Sequence, residues 1–128
     1  VIEAMHEVFK TGTGRWSQVK GIEICGKTGT SENYAVVNGK RIKLEDHSIL
    51  VAFAPKDNPK IALAIFVENG GYGSTIAAPI SSLLIEQYLN GEISKATQYR
   101  EKNMLSISLQ GEYDKLIPKK MEIEKGTK

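Results

Sequence analysis

Two dense apolar runs, residues 48–54 and 61–67, constrain the fold of this chain more than any other feature. The polar segment between them, residues 55–60, begins with a proline and carries a second proline near its end, so the pattern predicts a β-hairpin. Because both runs are apolar at odd and even positions alike, each strand is expected to be covered on both faces, as in a layered α/β or α+β sheet.

Two helices and one further strand are predicted around this hairpin. Residues 1–9 and 76–89 repeat apolar side chains at helical spacing. Residues 22–33 are predicted to form a strand, and a polar loop is expected around residues 38–40. The order of elements predicts an α+β fold in which an antiparallel sheet, made of the first strand and the hairpin, packs against helices.

The predicted helices suffice for one face of this sheet only. Nothing else in the sequence can cover the second face, so an exposed apolar sheet face is expected. Another chain, or a segment outside the sequence, would have to occupy it. Self-association through that face is one expectation that follows.

Size and charge exclude several classes of protein. A chain of 128 residues with 41% apolar side chains supports one core and is too short for two domains. A formal charge of +2 without a stripe of Lys or Arg does not indicate binding to nucleic acid or to an anionic membrane. The single cysteine, Cys25, excludes an internal disulfide. The longest apolar run, residues 61–67, is much shorter than the roughly 18 residues of a membrane span.

The two ends of the chain differ from its middle. Val1 opens directly in a helical pattern with no cap before it, so the chain start is expected to be a cut. From Glu92 onward the sequence is polar and rich in Lys and Glu. Residues 1–90 are therefore predicted as one folded segment, and residues 91–128 as a tail that is peripheral or partly disordered.

The most informative segment for function is residues 26–31, Gly-Lys-Thr-Gly-Thr-Ser, which follows the alternating run at residues 21–25. The alternation predicts an edge strand that continues into this segment. Its side chains include one ammonium group, two hydroxyls and a glycine hydrogen, on Lys27, Thr28, Thr30 and Gly29. Together these groups suit the capture of a carboxylate beside a reacting carbonyl.

A phosphate loop is a competing interpretation, because residues 21–28 satisfy the pattern G-x-x-x-x-G-K-[ST]. Such a loop requires a buried strand before its first glycine and a helix after its Lys-Thr pair, so that backbone amides converge on the phosphates. Here residues 16–20 make a poor buried strand, and residues 29–33 make a poor helix start. The sequence therefore disfavours nucleotide binding.

Residues 27–30 resemble the K-T-G motif of the penicillin-recognising serine acyltransferases, which comprise penicillin-binding proteins and serine β-lactamases. Other segments follow the order of the last part of a transpeptidase domain: residues 12–14 (GTG), 46–55 (DHSILVAFAP), 68–71 (ENGG) and 77–79 (AAP). Over residues 1–90 the chain resembles the C-terminal segment of the transpeptidase domain of a class B penicillin-binding protein, most closely the penicillin-binding protein 2 type of cell elongation.

The resemblance implies a partial β-lactamase/transpeptidase-like fold with the K-T-G strand at the edge of the sheet. Lys27 would supply positive charge and take part in proton relay. The hydroxyls of Thr28 and Thr30 would bind the carboxylate of a stem peptide or a penicillin. Gly29 would let the substrate lie flat, and the backbone N–H of Thr30 would donate to the oxyanion. The resemblance implies no cofactor.

The same resemblance implies a peptidoglycan D,D-transpeptidase that cross-links stem peptides ending in D-Ala-D-Ala and is acylated by β-lactams. It further implies one N-terminal helix in the bacterial cytoplasmic membrane. This domain would then lie in the periplasm or outer wall space.

Two other motifs of the family are not in their expected places. S-x-x-K, which carries the nucleophile, and S-x-N should both lie well upstream of K-T-G. Residues 17–20 and 31–33 match by letter but lie in the wrong order or too close to Lys27. The chain alone is therefore expected to lack the nucleophilic serine and to be inactive without the upstream half of the domain. The alternative is a noncatalytic sheet-and-helix binding module that keeps the K-T-G strand for architecture only.

Three further polar residues are interpreted as structural. His6, Cys25 and His47 have side chains of the metal-binding type, but their separations match no zinc spacing, so no metal site is predicted. The glycine turn after Asn69 is interpreted as a connection between strand and helix rather than as an anion site.

Overall fold

The computed structural model describes residues 1–117. Within that range, with a short 3₁₀ turn at Arg15–Ser17, the chain forms in order α1 (Ile2–Lys10), β1 (Cys25–Ser31), β2 (Tyr34–Val37), β3 (Lys40–Lys43), β4 (His47–Ala54), β5 (Ile61–Val67), α2 (Ala77–Asn90), α3 (Gln98–Ser106) and α4 (Gln110–Asp114). The predicted α+β class, with helices packed on an antiparallel sheet, is confirmed. No helix in this range is both long enough and apolar enough to cross a membrane.

The two apolar runs form the centre and one edge of a three-stranded sheet with the order β1–β4–β5. β4 and β5 make the predicted hairpin, in which Leu50 lies opposite Ile65. β1 pairs antiparallel with the other side of β4 and places Thr28 opposite Leu50. Since β4 is the only strand beside β1 in residues 1–117, the K-T-G segment lies on an edge strand.

β1 is shorter at both ends than the strand predicted over residues 22–33. Before it, Ile22 makes an isolated bridge with Val19 across a turn in which Gly21 has φ 82°. After it, the carbonyl of Asn33 accepts a hydrogen bond from the N–H of Leu44 (3.0 Å), which turns the backbone away from β4. Local turns therefore end β1 at both sides, although the alternation of apolar and polar side chains predicted a longer strand.

One face of the sheet carries the core. Phe9 of α1, Leu50 of β4 and Ile85 of α2 are buried together in a single cluster. The close packing of α1 on β1 depends on Gly26, because a Cβ at this position would lie 2.8 Å from the Phe9 ring. Burial of each large apolar side chain stabilises the fold by about 1.5–3 kcal/mol. The core thus fixes the helices against the same sheet that carries the K-T-G strand.

The opposite face of the sheet remains uncovered by the described residues. Val51 is 46% exposed, and Phe66 in the neighbouring strand is 57% exposed. Coverage of both faces, which the continuous apolar runs predicted, is therefore not found in residues 1–117. The reason is that α1 and α2 contribute to one and the same core cluster. Within residues 1–117, the expected uncovered apolar face is confirmed.

A second hairpin replaces the polar loop predicted around residues 38–40. β2 and β3 pair antiparallel, with Val37 opposite Lys40. Asn38 and Gly39 both have positive φ, 51° and 76°, which is the backbone of a type I′ turn. An Asn-Gly pair between two short runs with β-forming residues is a strong hairpin signal, so the sequence did contain the information.

Residues 91–117 carry more structure than their composition indicated. α3 packs on α2, and the Arg100 side chain in α3 is only 6% exposed. In α4, the Glu112 carboxylate accepts a hydrogen bond from the N–H of Glu45 (2.8 Å). Residues 98–106 are therefore helical, and a peripheral position of the segment after residue 90 stays a prediction. Its continuation, residues 118–128, lies outside the described residues, and the boundary at residue 90 stays a prediction.

Candidate functional site

The K-T-G strand presents its polar groups at the unpaired edge of the sheet. The Lys27 side chain is exposed, and its Nζ donates to the carbonyl of Thr28 (2.8 Å). Thr28 and Gly29 are half-buried, whereas Thr30 is exposed. The structure therefore brings the four predicted site residues together in consecutive positions of one strand.

The direction of the backbone groups follows from the pleat of β1. In an antiparallel strand the N–H and C=O of one residue point to the same side, and successive residues alternate. The carbonyl of Thr28 accepts from the Lys27 ammonium, which places it on the side away from β4. By the same alternation, the N–H of Thr30 points away from β4, toward the open side of the strand.

Thr13 joins this site although no motif assigned it a role. Its Oγ1 lies 2.9 Å from the Oγ1 of Thr28, and either hydroxyl can be the donor. Thr13 sits between two glycines directly after α1, and a Cβ on Gly12 would come within 2.9 Å of the Val8 Cα. The glycine lets the chain turn tightly enough to bring Thr13 against the strand. The segment Gly-Thr-Gly was the only sequence signal for it.

The glycine turn after Asn69 lies on the backbone of the K-T-G strand. A Cβ on Gly73 would be 2.4 Å from the carbonyl oxygen of Ile49 and 2.6 Å from that of Gly29, so only glycine fits there. The buried hydroxyl of Ser48 donates to the carbonyl of Tyr72 (2.9 Å) and accepts from the N–H of Ala77 (3.1 Å). These contacts join the turn, β4 and the start of α2.

The end of the strand is held by side-chain amides. Asn33 donates from Nδ2 to the Oδ1 of Asn69 (2.6 Å) and to the carbonyl of Glu45 (3.1 Å). The N–H of Asn69 in turn donates to Nδ1 of His47 (3.2 Å). His47 is thus engaged in the turn. In the described part of the chain, no three His, Cys, Asp or Glu side chains cluster in a way that would hold a metal ion.

The two letter matches to the serine motifs lack the required surroundings. Ser17 is 1% exposed and lies in the 3₁₀ turn instead of at the start of a long helix. Ser31 is the last residue of β1 itself. Neither hydroxyl is placed as the nucleophile beside Lys27 that the family pattern requires. Cys25 is buried, and burial raises the pKa of its thiol, which keeps it protonated and unreactive.

The phosphate-loop alternative fails on backbone geometry. Residues 25–31 are extended, so successive amides alternate in direction and do not converge. The next element after β1 is the strand Tyr34–Val37, whereas a phosphate loop requires a helix there.

Comparison with known proteins gives one consistent family. The model of the penicillin-binding protein transpeptidase domain matches residues 1–86. Among curated proteins, the chain is 40% identical over 82 residues to the peptidoglycan D,D-transpeptidase MrdA of Acinetobacter baumannii, covering 59% of the chain and 12% of that protein. It is 38% identical over 79 residues to the peptidoglycan D,D-transpeptidase PbpA of Mycobacterium tuberculosis, covering 58% and 15%.

Solved structures agree with the sequence matches. Penicillin-binding protein A of M. tuberculosis, in a ceftriaxone acyl-enzyme complex, aligns with a TM-score of 0.58 and 33% identity over 69% of the chain and 20% of that structure. PBP2 of Pseudomonas aeruginosa, in complex with WCK 5153, aligns with a TM-score of 0.54 and 31% identity over 73% and 20%. The chain therefore spans a fifth or less of each of these four proteins or structures.

Proposed function

Because the chain belongs to the penicillin-binding protein transpeptidase domain family, we propose that it supplies the substrate-binding strand of a peptidoglycan D,D-transpeptidase of the cell-elongation type. The observation that carries this proposal is the K-T-G strand, which lies at an unpaired sheet edge in residues 1–117, where the Lys27 ammonium donates to the backbone carbonyl of Thr28 (2.8 Å). Its support comes from the similar peptidoglycan D,D-transpeptidases and from the β-lactam acyl-enzyme complex of a similar structure.

In the proposed reaction, a serine outside this chain attacks the carbonyl carbon between the two D-alanines of a stem peptide. The C–N bond breaks, D-alanine leaves, and the amino group of a second stem then displaces the serine from the ester. Lys27 provides positive charge beside the nucleophile and a site for proton exchange. A β-lactam enters the same cycle by opening its ring, and it remains attached as an acyl-enzyme.

The carboxylate of the leaving D-alanine, or of the β-lactam, is proposed to bind the hydroxyls of Thr28 and Thr30. Hydrogen bonds to a charged acceptor are worth about 1.5–3 kcal/mol each. Gly29 keeps the strand flat, so that the peptide can lie beside it. The N–H of Thr30 faces the open side and is the proposed oxyanion donor, a role typically worth about 2.7–4 kcal/mol.

The remainder of the same domain is the proposed source of the nucleophile and the proposed cover of the apolar face around Val51 and Phe66. A second copy of the chain is the alternative occupant of that face. An N-terminal membrane helix, with this domain in the periplasm or outer wall space, is proposed from the family alone.

The test uses the complete protein that carries this domain and measures D-alanine release from a pentapeptide stem. Lys27→Ala is expected to lower the rate by about a hundredfold or more while leaving the melting temperature nearly unchanged, because Lys27 is exposed. Lys60→Ala, an exposed lysine in the β4–β5 turn, is the matched control and should act as wild type. Unchanged release in Lys27→Ala would remove Lys27 from the mechanism, whereas no release by the wild-type protein would favour the noncatalytic binding module.

A further inference from the structure

A buried arginine connects residues beyond the family match to the segment that precedes the K-T-G strand. Arg100 lies in α3, outside residues 1–86, and is 6% exposed. Its guanidinium donates to the hydroxyl of Ser82 (2.9 Å) and to the backbone carbonyls of Trp16 and Gln18 (3.0 Å each). These carbonyls are more than eighty residues away in sequence, so the contact is a long-range constraint.

A buried carboxylate holds the residues just before Arg100 in place. Glu86 in α2 is 1% exposed. It accepts hydrogen bonds from the hydroxyl of Thr97 and from the N–H of Ser94 (3.2 Å). Arg100 acts on Glu86 through its charge as well, so the two opposite charges compensate each other in the interior. The start of α3 is therefore fixed to α2 by polar contacts at several points.

The carbonyls that Arg100 holds belong to one short, internally bonded segment. The N–H of Arg15 donates to the carbonyl of Gly12 (3.2 Å), and the N–H of Ser17 donates to the carbonyl of Gly14 (2.8 Å). These bonds close two overlapping turns over residues 12–17, which with Gln18 form one short segment. Arg100 anchors the C-terminal end of this segment through the carbonyls of Trp16 and Gln18. The N-terminal end of the segment carries the Thr13 hydroxyl that contacts Thr28.

The hydrogen bond between the Thr13 and Thr28 hydroxyls determines whether Thr28 can donate to a substrate. Each threonine hydroxyl has one proton, so Thr28 can donate to a carboxylate only while Thr13 is the donor in their shared hydrogen bond. A donor behind Thr28 also polarises its hydroxyl and strengthens the bond that it makes. Loss of Thr13 from this position would leave the Thr28 hydroxyl free to rotate away from the substrate.

We propose that Arg100 is a positioning residue: through residues 12–18 it holds Thr13 against Thr28, and so orients the Thr28 hydroxyl as a donor to the substrate carboxylate. The planar guanidinium suits this role, since its fixed fork can hold two neighbouring carbonyls while a third N–H reaches Ser82. This inference rests on the proposed function, because it assigns the carboxylate of a stem peptide or β-lactam to Thr28.

The test measures acylation of the complete protein by a fluorescent penicillin, separated into the dissociation constant and the acylation rate constant. Thr13→Val should weaken penicillin binding by about 3- to 10-fold, the value of one neutral hydrogen bond, with a smaller effect on the acylation rate constant. Arg100→Met should give a loss of the same size. The double variant should lose no more than the larger single loss, because both changes break the same connection.

Arg100→Lys keeps the charge beside Glu86 and serves if Arg100→Met does not fold. It cannot hold both carbonyls as the guanidinium does, so penicillin binding should fall while the protein remains folded. Lys102→Met, which removes an exposed charge from the same helix, is the matched control and should bind as wild type. Wild-type binding in Arg100→Lys, or losses that simply add in the double variant with Thr13→Val, would overturn the inference.

A second readout does not depend on acylation. Hydrogen exchange of the peptide covering residues 11–18 should be faster in Arg100→Lys than in wild type, and unchanged in Lys102→Met. Unchanged exchange in Arg100→Lys would refute the positioning role. If the wild-type protein takes up no penicillin, the proposed function fails, and the exchange experiment still decides whether Arg100 holds this segment.

Discussion

At the scale of single residues, Thr30 has two proposed roles, which different groups of the residue carry out. Its hydroxyl is proposed to bind the carboxylate, and its N–H is proposed to stabilise the oxyanion. Thr30→Val removes the first group and keeps the second, since valine has nearly the same shape as threonine. In the complete protein we expect penicillin binding to weaken by about tenfold or more, with the acylation rate constant nearly unchanged.

Rapid-quench acylation at several penicillin concentrations checks this separation. Ser74→Ala, in the half-buried turn before α2, removes a hydroxyl that is not assigned to the substrate and is the control. A loss confined to the rate constant, with unchanged binding, would show that the Thr30 hydroxyl does not hold the carboxylate.

Lys27, Thr28, Gly29 and Thr30 could be predicted as candidate site residues from sequence, because their chemistry is contained in four consecutive residues. Arg100 could not, and the only signal for Thr13 was the Gly-Thr-Gly segment, which indicated no role for it. Thr13 meets its partner fifteen residues away, and Arg100 meets its carbonyl partners more than eighty residues away. Contacts of this kind depend on how the helices pack, and no local pattern encodes that.

At the scale of elements, the glycine turn between β5 and α2 sets how closely this connection lies on the K-T-G strand. Gly73→Ala would place a methyl group 2.4 Å from the Ile49 carbonyl oxygen, so the turn must move off the sheet. We expect a destabilisation of about 1–3 kcal/mol, the usual cost of overpacking. Penicillin acylation should fall as well, because Gly29 lies directly beneath the turn.

Calorimetry of the complete protein measures the change in stability. Gly111→Ala is the matched control, since its new methyl group would meet nothing within 4 Å. Equal melting temperatures for Gly73→Ala and wild type would mean that the turn is not packed on the strand as described.

The junction of α2 and α3 gives a prediction about pH. Burial alone would raise the pKa of the Glu86 carboxyl, but hydrogen bonds from Thr97 and Ser94 and the charge of Arg100 together bring it below its ordinary value of 4.5. A pKa that is lower in the folded state stabilises the fold at pH values above the unfolded value of the carboxyl. That stability is lost as the pH falls through the lowered pKa.

Melting temperatures of wild type and Glu86→Gln are therefore expected to differ most at neutral pH and to converge as the pH falls through the lowered pKa of Glu86. Glu92→Gln, an exposed carboxyl change shortly after α2, should follow wild type at every pH. A constant difference between wild type and Glu86→Gln across this range would contradict the assignment.

Most elements could be predicted, and the failures have physical causes. The β4–β5 hairpin and α2 were located to within about a residue, because continuous burial leaves a strong apolar pattern. The β2–β3 hairpin was predicted as a loop, because each of its strands has only four residues, too few to show a clear alternation. α3 was missed because a single buried arginine and its polar partners, not an apolar stripe, attach it to α2.

At the scale of the whole molecule, the described residues form one covered sheet face, one uncovered face and one edge that carries the proposed substrate-binding residues. An apolar patch such as that around Val51 and Phe66 marks a surface that another segment or chain covers. The missing cover and the missing nucleophile are explained together if both come from the rest of the same domain.

The most direct measurement is the intact mass of the complete protein and of the 128-residue chain after incubation with the same penicillin. The complete protein should gain the mass of one penicilloyl group on a serine outside these 128 residues, and the chain alone should gain none. A stable adduct on the isolated chain, or no adduct on the complete protein, would contradict the account.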